Sequence, residues 1–277
     1  MGPMGLPEPG PHTTCLVTGA SSGIGAHIAR ELAGRGLGLV LVARRADRLR
    51  ALADELSATA GVRVEVLPVD LADERSRAAV PEAVAEMRLT VEVLVNNAGL
   101  STMGPVHRAD RVAELRLVRT DVEAVVDLCT MFVPGMATRR RGAVLNTAST
   151  AAFQPLPGQA AYGGSKAFVL SYSQALRAEL RSTGVTVTAL CPGPVATGFG
   201  EAAGLSDAEA ASALPKFMWL PADRVAREAV DGLDRDRAVV IPGAANRLGA
   251  AAGHLAPRSV LTSIMARQHP ALRDPGR

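Results

Sequence analysis

The 277-residue chain is poor in aromatic residues, lysine and cysteine, and it has no long hydrophobic run. Three cysteines, Cys15, Cys129 and Cys191, have no paired spacing and lie in apolar contexts, which argues against a disulfide framework and favours free thiols in a reducing compartment. The histidines show no metal-ligand spacing, so we expect no metal site. No apolar stretch reaches the roughly 18 residues of a membrane span. These absences exclude a disulfide-rich secreted scaffold and a membrane-spanning protein.

The ends of the chain and its charge add to this picture. Residues 1–12 are rich in proline and glycine and have no basic region followed by an apolar stretch, so we interpret them as a flexible leader and predict a cytoplasmic protein. The net charge is only +3, and basic residues alternate with acidic ones, as on solvated helix faces. The basic run Arg139–Arg141 precedes Gly142, as at a helix C-terminus, and lacks an aromatic stacking platform. We therefore expect no nucleic-acid partner.

A tyrosine and a lysine lie four residues apart in Tyr162-Gly-Gly-Ser-Lys166, in a chain that has only two of each residue type. Four residues make about one helical turn, so both side chains lie on one face. An ammonium group beside a phenol lowers the phenol's pKa from about 10 and makes its oxygen usable as a general acid or base. The alternative is a surface pair on an amphipathic helix.

A glycine-rich segment, Thr18-Gly-Ala-Ser-Ser-Gly-Ile-Gly25, lies between a strand signal and a helix signal. Its three glycines suit a tight turn, close approach of the backbone to a pyrophosphate, and tight helix–strand packing. The N-terminus of the following helix presents free N–H groups to phosphates. This context favours a dinucleotide site over a structural turn, although the spacing differs from the G-x-G-x-x-G of longer dehydrogenases.

Strand and helix signals alternate along the chain. Strand-like runs fall at 15–18, 39–43, 63–69, 91–95, 143–147, 186–190 and 238–241. Helical patterns fill most of the gaps, at 24–35, 46–59, 73–88, 110–138, 162–182 and 221–234. The alternation predicts an α/β fold, a single Rossmann-like doubly wound parallel sheet of about seven strands with helices on both faces. We expect one catalytic domain over 13–242, and a cap or subunit-contact tail over 243–277.

Five motifs occur in the order of the short-chain dehydrogenases/reductases, and over residues 13–242 the chain resembles that family. They are the glycine-rich segment, Asn96-Asn-Ala-Gly99, Ser149, Tyr162-x-x-x-Lys166 and Cys191-Pro-Gly-Pro-Val-Ala-Thr197. The resemblance implies that Ser149 hydrogen-bonds the substrate oxygen and that Tyr162 protonates the developing alkoxide. Lys166 would lower the pKa of Tyr162 and bind the nicotinamide ribose. A capping or turn role is the alternative for Ser149.

The preferred cofactor is indicated by Arg44 and Arg45, which follow the second strand. A site for NAD has an acidic residue there, whereas the 2′-phosphate of NADP needs positive charge, and guanidinium binds phosphate bidentately. We therefore predict NADP(H) over NAD(H); the alternative is that the arginines merely begin the next helix. By resemblance, Asp70 and Leu71 match adenine-contacting positions. The cofactor-binding candidates are Gly19, Ser21, Ser22, Gly23, Ile24, Gly25, Arg44, Arg45, Asp70, Leu71, Asn97, Ala98, Gly99, Tyr162, Lys166, Pro192, Gly193, Val195 and Thr197.

Asp121 stands where many members of the family carry an asparagine that completes a proton relay through water. An ionised aspartate can only accept hydrogen bonds. If the relay uses the backbone carbonyl, Asp121 can substitute, and Asp121→Asn should change the rate by less than about tenfold. If the amide is needed to hold a helical kink, turnover is lower. The candidate catalytic residues are Ser149, Tyr162, Lys166 and Asp121.

The segment 198–219 is low in charge and follows the loop that the family places next to a mobile lid. Leu205, Leu214, Phe217, Met218 and Trp219 make it apolar, which favours a lipophilic substrate; packing on the core is the alternative. We predict an NADP(H)-dependent oxidoreductase that interconverts a ketone or aldehyde, with 3-oxoacyl groups among the candidates, and its alcohol. The alternatives are an inactive nucleotide-binding regulatory or scaffold protein and, less favoured, a sugar-nucleotide epimerase. The resemblance also implies a homodimer or homotetramer paired through the helices at 110–138 and 162–182.

Overall fold

Seven parallel strands form a single sheet in the computed structural model, which describes residues 5–196 and 215–268. The strand order is β3-β2-β1-β4-β5-β6-β7. The strands are β1 Thr13–Thr18, β2 Leu39–Ala43, β3 Val64–Pro68, β4 Thr90–Asn96, β5 Gly142–Thr147, β6 Val185–Leu190 and β7 Val239–Val240. The predicted doubly wound sheet is confirmed. Thr197 and most of the predicted lid lie outside the described residues.

Helices cover both faces of the sheet, and two of the predicted ones are divided. The helices are α1 Gly23–Gly34, α2 Ala46–Ala60, α3 Glu74–Ala78, α4 Val80–Glu86, α5 Arg111–Val118, α6 Ala124–Arg139, α7 Ala160–Glu179, α8 Ala222–Asp234, α9 Ala244–Leu255 and α10 Arg258–Gln268. The predicted helix at 73–88 is broken before Pro81, which has no N–H and clashes with the preceding turn. The predicted helix at 110–138 contains a π-helical segment, Arg119–Glu123. Such segments are frequent at functional sites.

Both faces of the sheet are apolar because each strand sends alternate side chains to opposite layers. Cys15 and Val17 pack in the layer that contains α1, α2 and α8. Leu16, between them, packs in the layer that contains α4, α6 and α7. This burial on both faces explains why the strands are continuous apolar runs. The strand order reverses between β1 and β4, and ligands bind at the carboxyl ends of strands beside such a reversal.

The basic run at the end of α6 differs in detail from its prediction. Arg140, not Gly142, takes the left-handed conformation that ends the helix, with φ 55°. Arg141 pairs with the buried carboxylate of Glu92, and Arg139 donates to the carbonyl of Val91 at 3.1 Å. Two of the three arginines therefore hold the protein's own β4.

The described ranges have neither a membrane-spanning helix nor a metal-binding cluster. Within 5–196 and 215–268, no helix is both long and apolar enough to cross a bilayer. In the same ranges, no cluster of three or more histidine, cysteine or acidic side chains is arranged to hold a metal ion. The three cysteines are buried free thiols.

Candidate active site

The glycine-rich loop and the loop after β4 pack directly on each other. Gly19 has φ 67°, and a Cβ there would lie 2.8 Å from the Cα of Ala98, so only glycine fits both constraints. The hydroxyl of Thr18 accepts the backbone N–H groups of Asn97 and Ala98 at 2.9 and 3.0 Å. These bonds join the two loops into one wall. Thr18 was not among the predicted site residues, because its partners are distant in sequence.

The guanidinium of Arg45 lies over the glycine-rich loop. Its terminal nitrogen donates to Ser21 Oγ at 2.9 Å and to Ser22 Oγ at 2.8 Å. Burial, followed by the positive charges of Arg48 and Arg44, lowers the pKa of Arg45. Ser22 precedes α1 without capping it by its side chain, so the first N–H groups of that helix have no side-chain acceptor at the cap. The result is a concentration of hydrogen-bond donors and positive charge that suits a phosphate.

The loop after β3 is held by two arginines. Asp70 accepts the backbone N–H of Ala72 at 3.1 Å, and its other oxygen pairs with Arg116 at 2.5 Å. Arg77 donates to the carbonyl of Leu71 at 2.7 Å.

Arg77 is the most buried cation of this region, with 2% of its surface exposed, and it also pairs with Glu123 and Asp127. We interpreted the sequence around Arg77 as a solvated face, so its anchoring role was missed. Burial of a charge surrounded by carboxylates is decided by tertiary packing, which the local pattern does not contain.

Ser149 follows β5 and has the capping role that the sequence left open, while its contact with a substrate oxygen stays a prediction. It caps the short 3₁₀ segment Thr150–Phe153, because its Oγ accepts the N–H of Ala151 at 3.1 Å. The same hydroxyl also hydrogen-bonds the phenol group of Tyr162. The cap fixes the orientation of the hydroxyl at the edge of the sheet, where it meets the phenol.

Tyr162 and Lys166 lie on one face of the first turns of α7, as their spacing predicts. Lys166 Nζ is 5.7 Å from the centroid of the Tyr162 ring. The ammonium group is buried and donates to the carbonyl of Thr147 at 3.1 Å. These contacts exclude a surface pair, the alternative left open by the sequence.

Asp121 meets the same lysine through its side chain, a contact that we did not predict. Its Oδ2 lies 2.9 Å from Lys166 Nζ, and its Oδ1 accepts the N–H of Leu100 at 2.7 Å. Asp121 lies in the π-helical segment and is fully buried. A Cβ on Gly99 would lie 3.1 Å from Asp121 Oδ2 and 3.2 Å from Lys166 Nζ, so glycine at this position lets the loop after β4 close over the ion pair.

Lys166 lowers the pKa of Tyr162, as expected, but the pKa of this phenol is raised overall. Burial raises the pKa of Tyr162, and the carboxylate of Asp121 raises it further. Lys166 and the hydrogen bond of Ser149 act in the opposite direction but do not outweigh them. Burial alone would lower the pKa of Lys166, but Asp121 and Tyr162 raise it overall. Lys166 is therefore a firmly charged ammonium beside a phenol that is protonated at neutral pH.

The substrate side of the site is built from loops that are linked to one another. Gln159 donates to Ser101 Oγ at 2.7 Å, which ties the loop before α7 to the loop after β4. Helix α9 packs against Thr150–Phe153, directly after Ser149.

Asn246 on α9 was missed by the sequence analysis. It is buried and donates to the carbonyls of Met218 and Pro242, each at 3.1 Å. A Cβ on Gly193 would lie 2.4 Å from Asn246 Oδ1, so α9 touches the loop after β6. The contacts of this asparagine with Met218 and Gly193 have no local signal, because both residues are distant in sequence.

Most of the predicted site residues that the structure describes follow the carboxyl ends of β1 to β6. The other three, Asp121, Tyr162 and Lys166, face these ends from the helices. A glycine-rich loop at a helix N-terminus and a Ser–Tyr–Lys group on the same sheet edge are the arrangement expected of a dinucleotide-dependent oxidoreductase. Residues 13–207 match the family model for short chain dehydrogenase, and the chain belongs to that family. The resemblance seen in the motifs is confirmed.

Relatives and solved structures are similar over most of the chain. Sulfoacetaldehyde reductase 2 of Chromohalobacter salexigens is 38% identical over 186 residues, 66% of this chain and 73% of that protein. An NADP-dependent 3-hydroxy acid dehydrogenase of Salmonella typhi is 39% identical over 65% of this chain and 71% of that protein. A short-chain dehydrogenase of Sphingobium yanoikuyae, solved in complex with NADPH, has a TM-score of 0.77 and 37% identity, and the match covers 91% of this chain and 95% of that one.

Proposed function

We propose that the protein is an NADP(H)-dependent oxidoreductase that interconverts a ketone or aldehyde and the corresponding alcohol. The observation that carries this proposal is the contact of Ser149, Tyr162 and Lys166 at the sheet edge, beside the glycine-rich loop. A nucleotide-binding scaffold has no need of a phenol between a fixed hydroxyl and a buried ammonium. The third alternative, a sugar-nucleotide epimerase, is not favoured by any contact in the site.

The residues of the chain divide the proton chemistry among them. When bound, the nicotinamide supplies a hydride to the carbonyl carbon. Ser149 Oγ orients the carbonyl oxygen, and Tyr162 donates its proton to that oxygen as negative charge develops. Lys166 stabilises the phenolate that remains. In the oxidative direction the phenolate accepts the proton of the alcohol.

The fit of NADP(H) rests on the donors around the glycine-rich loop. The N-terminus of α1 suits the pyrophosphate, and Arg45, with Ser21 and Ser22, suits the 2′-phosphate. Arg44, Asp70, Leu71 and Asn97 are assigned to the rest of the cofactor cleft. The NADP-dependent relative and the NADPH complex support the same preference.

Replacing Arg45 tests this cofactor preference. Arg45→Gln removes a charged donor from the 2′-phosphate, so we expect the KM for NADPH to rise about tenfold, while the KM for NADH stays within about twofold. Steady-state kinetics with both cofactors measure the change. Arg48→Gln is the matched control, because Arg48 is an exposed arginine in the first turn of α2, the helix that Arg45 precedes. Its charge acts on Arg45, but it makes no hydrogen bond to Ser21. Equal effects of both variants would contradict a specific contact.

The substrate is proposed to be lipophilic, on the basis of the walls near Tyr162. Leu156 packs against the first turn of α7, where a Cβ on Gly163 would be 3.0 Å away. Met218 lies against α9, within 3.7 Å of the position of a Cβ on Gly249. We propose that α9 caps this side of the catalytic domain, since it packs on the segment that Ser149 begins. An apolar wall favours ketones and aldehydes with hydrocarbon substituents.

The function is tested by NADPH oxidation with a panel of carbonyl compounds. The panel contains aryl and alkyl ketones, aldehydes, 3-oxoacyl thioesters, 3-oxo acids and a sulfonated aldehyde, and the matching alcohols are tested with NADP⁺. We expect the highest kcat/KM with an apolar ketone or aldehyde. Tight NADPH binding without turnover of any compound would instead favour the regulatory or scaffold protein.

We further propose a homodimer or homotetramer paired through α5 and α7. Val112 on α5 is 70% exposed, and Leu115 and Val118 on the same helix and Phe168 on α7 are also exposed, although they are large and apolar. Covering such a surface with a second copy removes this apolar area from water. Sedimentation equilibrium of the full chain distinguishes these assemblies from a monomer.

A further inference from the structure

The ammonium group of Lys166 is already engaged by the protein on two sides. A lysine has three N–H donors, and one of them is directed to the carbonyl of Thr147 at 3.1 Å. On a second side the carboxylate of Asp121 lies 2.9 Å away. The side that faces Tyr162 is left for the phenol oxygen and the cofactor ribose. The positive charge of Lys166 is therefore shared between Tyr162 and the protein's own groups, the carbonyl of Thr147 and the carboxylate of Asp121.

We propose that Asp121 is a built-in counter-ion that competes with the phenol oxygen of Tyr162 for the positive charge of Lys166. This inference rests on the proposed function and deepens it. A site with this counter-ion favours the protonated phenol, and hence carbonyl reduction at neutral pH. The opposite charges of Asp121 and Lys166 also cancel. The site therefore binds the positively charged ring of the oxidised cofactor better than a site with Lys166 alone.

The geometry makes the competition effective. Asp121 is fully buried, and only 5% of the Lys166 side chain is exposed, so solvent screens the pair little. The carboxylate cannot turn away easily, because Leu100 N–H holds its other oxygen and the π-helical segment fixes its backbone. Gly99 packs against both charged groups, on a side other than the one that faces Tyr162.

Few other titratable groups face this phenol in the described part of the chain. Lys166 approaches it from α7 and Asp121 from the π-helical segment. Cys191, after β6, faces Lys166, but burial raises the pKa of its thiol to about 12, which keeps it neutral. Burial raises the pKa of Asp121, whereas Lys166 and the N–H of Leu100 act against that shift and stabilise the carboxylate. The charge on Asp121 is the variable that a single substitution can remove.

Asp121→Asn removes that charge and keeps the shape of the side chain, including an oxygen for Leu100 N–H. Without the carboxylate, the pKa of Tyr162 is no longer raised by Asp121, so the phenolate forms at lower pH. Reduction, which needs the protonated phenol, should therefore decline at lower pH than in the parent protein. Oxidation, which needs the phenolate, should rise at lower pH.

The first measurement does not depend on turnover. Because the chain has two tyrosines, the variant Tyr172→Phe leaves Tyr162 as the single phenol. The phenolate of Tyr162 can then be titrated by its ultraviolet difference absorbance, with and without Asp121→Asn. We expect the titration to move to lower pH when Asp121 is replaced. Glu92→Gln is the matched control, because Glu92 is also a buried, ion-paired carboxylate but lies near the start of β4, away from the site.

The second measurement compares the two redox states of the cofactor by fluorescence or calorimetric titration. Asp121→Asn should weaken NADP⁺ binding about three- to tenfold relative to NADPH binding, because Lys166 then repels the charged ring. If the protein unfolds at a pH below that at which Tyr162 titrates, the ratio of NADP⁺ affinity to NADPH affinity tests the proposal instead. An unchanged ratio would overturn the proposal, as would an unmoved titration midpoint, since both mean that Asp121 is neutral in the folded protein.

Kinetics separate this inference from the proposed function. With the best carbonyl–alcohol pair, Asp121→Asn should speed oxidation at pH 7 about three- to tenfold and leave the high-pH plateau unchanged. A parent enzyme that is active and requires the Tyr162 hydroxyl, but whose pH profile is not moved by Asp121→Asn, would refute the counter-ion alone. A parent protein without activity on any substrate would refute the proposed function, while the phenolate titration would still test the counter-ion.

Discussion

Tyr162→Phe should lower kcat for carbonyl reduction by about 10³-fold or more, because general acid–base catalysis typically contributes 10²–10⁴-fold and no other described group takes the proton. The substitution removes only the hydroxyl that Ser149 and Lys166 surround. NADPH binding should stay within about twofold of the parent, since the phosphates are held elsewhere on the sheet edge. Stopped-flow NADPH oxidation and fluorescence titration of NADPH measure the two quantities.

The matched control for this variant is Tyr172→Phe. Tyr172 is on the same helix as Tyr162 and stacks on Phe168 with a centroid distance of 5.8 Å, away from the Ser149 hydroxyl. It should keep the parent rate within about threefold. If Tyr162→Phe retained more than a tenth of the parent kcat, another group would have to be the acid, and the proposed mechanism would be wrong.

Lys166→Met should lower the stability of the protein as well as its activity, because it leaves the carboxylate of Asp121 buried without its ion-pair partner. Breaking a buried ion pair by removing one member typically costs about 3–5 kcal/mol in the free energy of unfolding. Activity should fall together with stability, since the phenolate of Tyr162 loses its stabilising charge. Urea unfolding monitored by circular dichroism gives the free energy, and NADPH oxidation at a temperature where the variant is folded gives the rate.

The double variant Lys166→Met/Asp121→Asn separates these two effects. It removes both charges, so most of the lost stability should return, because no buried charge is left unpaired. Activity should stay at the level of the single variant, since the ammonium is still absent. Recovery of the rate along with the stability would mean that Lys166 acts only as a structural partner of Asp121.

Much of the site was predicted because its signals are local. The glycine-rich loop is a contiguous segment between a strand and a helix, and the positions of Tyr162 and Lys166 follow from the helical repeat alone. The position of Arg45 follows from the end of β2. The break before Pro81 also had a local signal, the proline itself, which the periodic pattern of the surrounding helix obscured.

The remaining contacts had no local signal. Asp121 was recognised by position, but its ion pair with Lys166 depends on a π-helical turn and on close packing of Gly99. Thr18 and Asn246 bind backbone groups far away in the chain, and Arg77 pairs with the distant carboxylates of Glu123 and Asp127. The sequence could not show that the Ser149 hydroxyl both caps the segment that begins at Thr150 and hydrogen-bonds Tyr162, because the second contact comes from α7.

The sequence by itself determined the sheet-and-helix order, the glycine-rich loop and the spacing of Tyr162 and Lys166, because hydrophobic period, glycine placement and helical pitch act over a few residues. Only the tertiary structure decided the charge balance of the site. How strongly a phenol holds its proton depends on burial and on charges brought from other elements, and in this protein Asp121 arrives from a different helix than Tyr162 and Lys166.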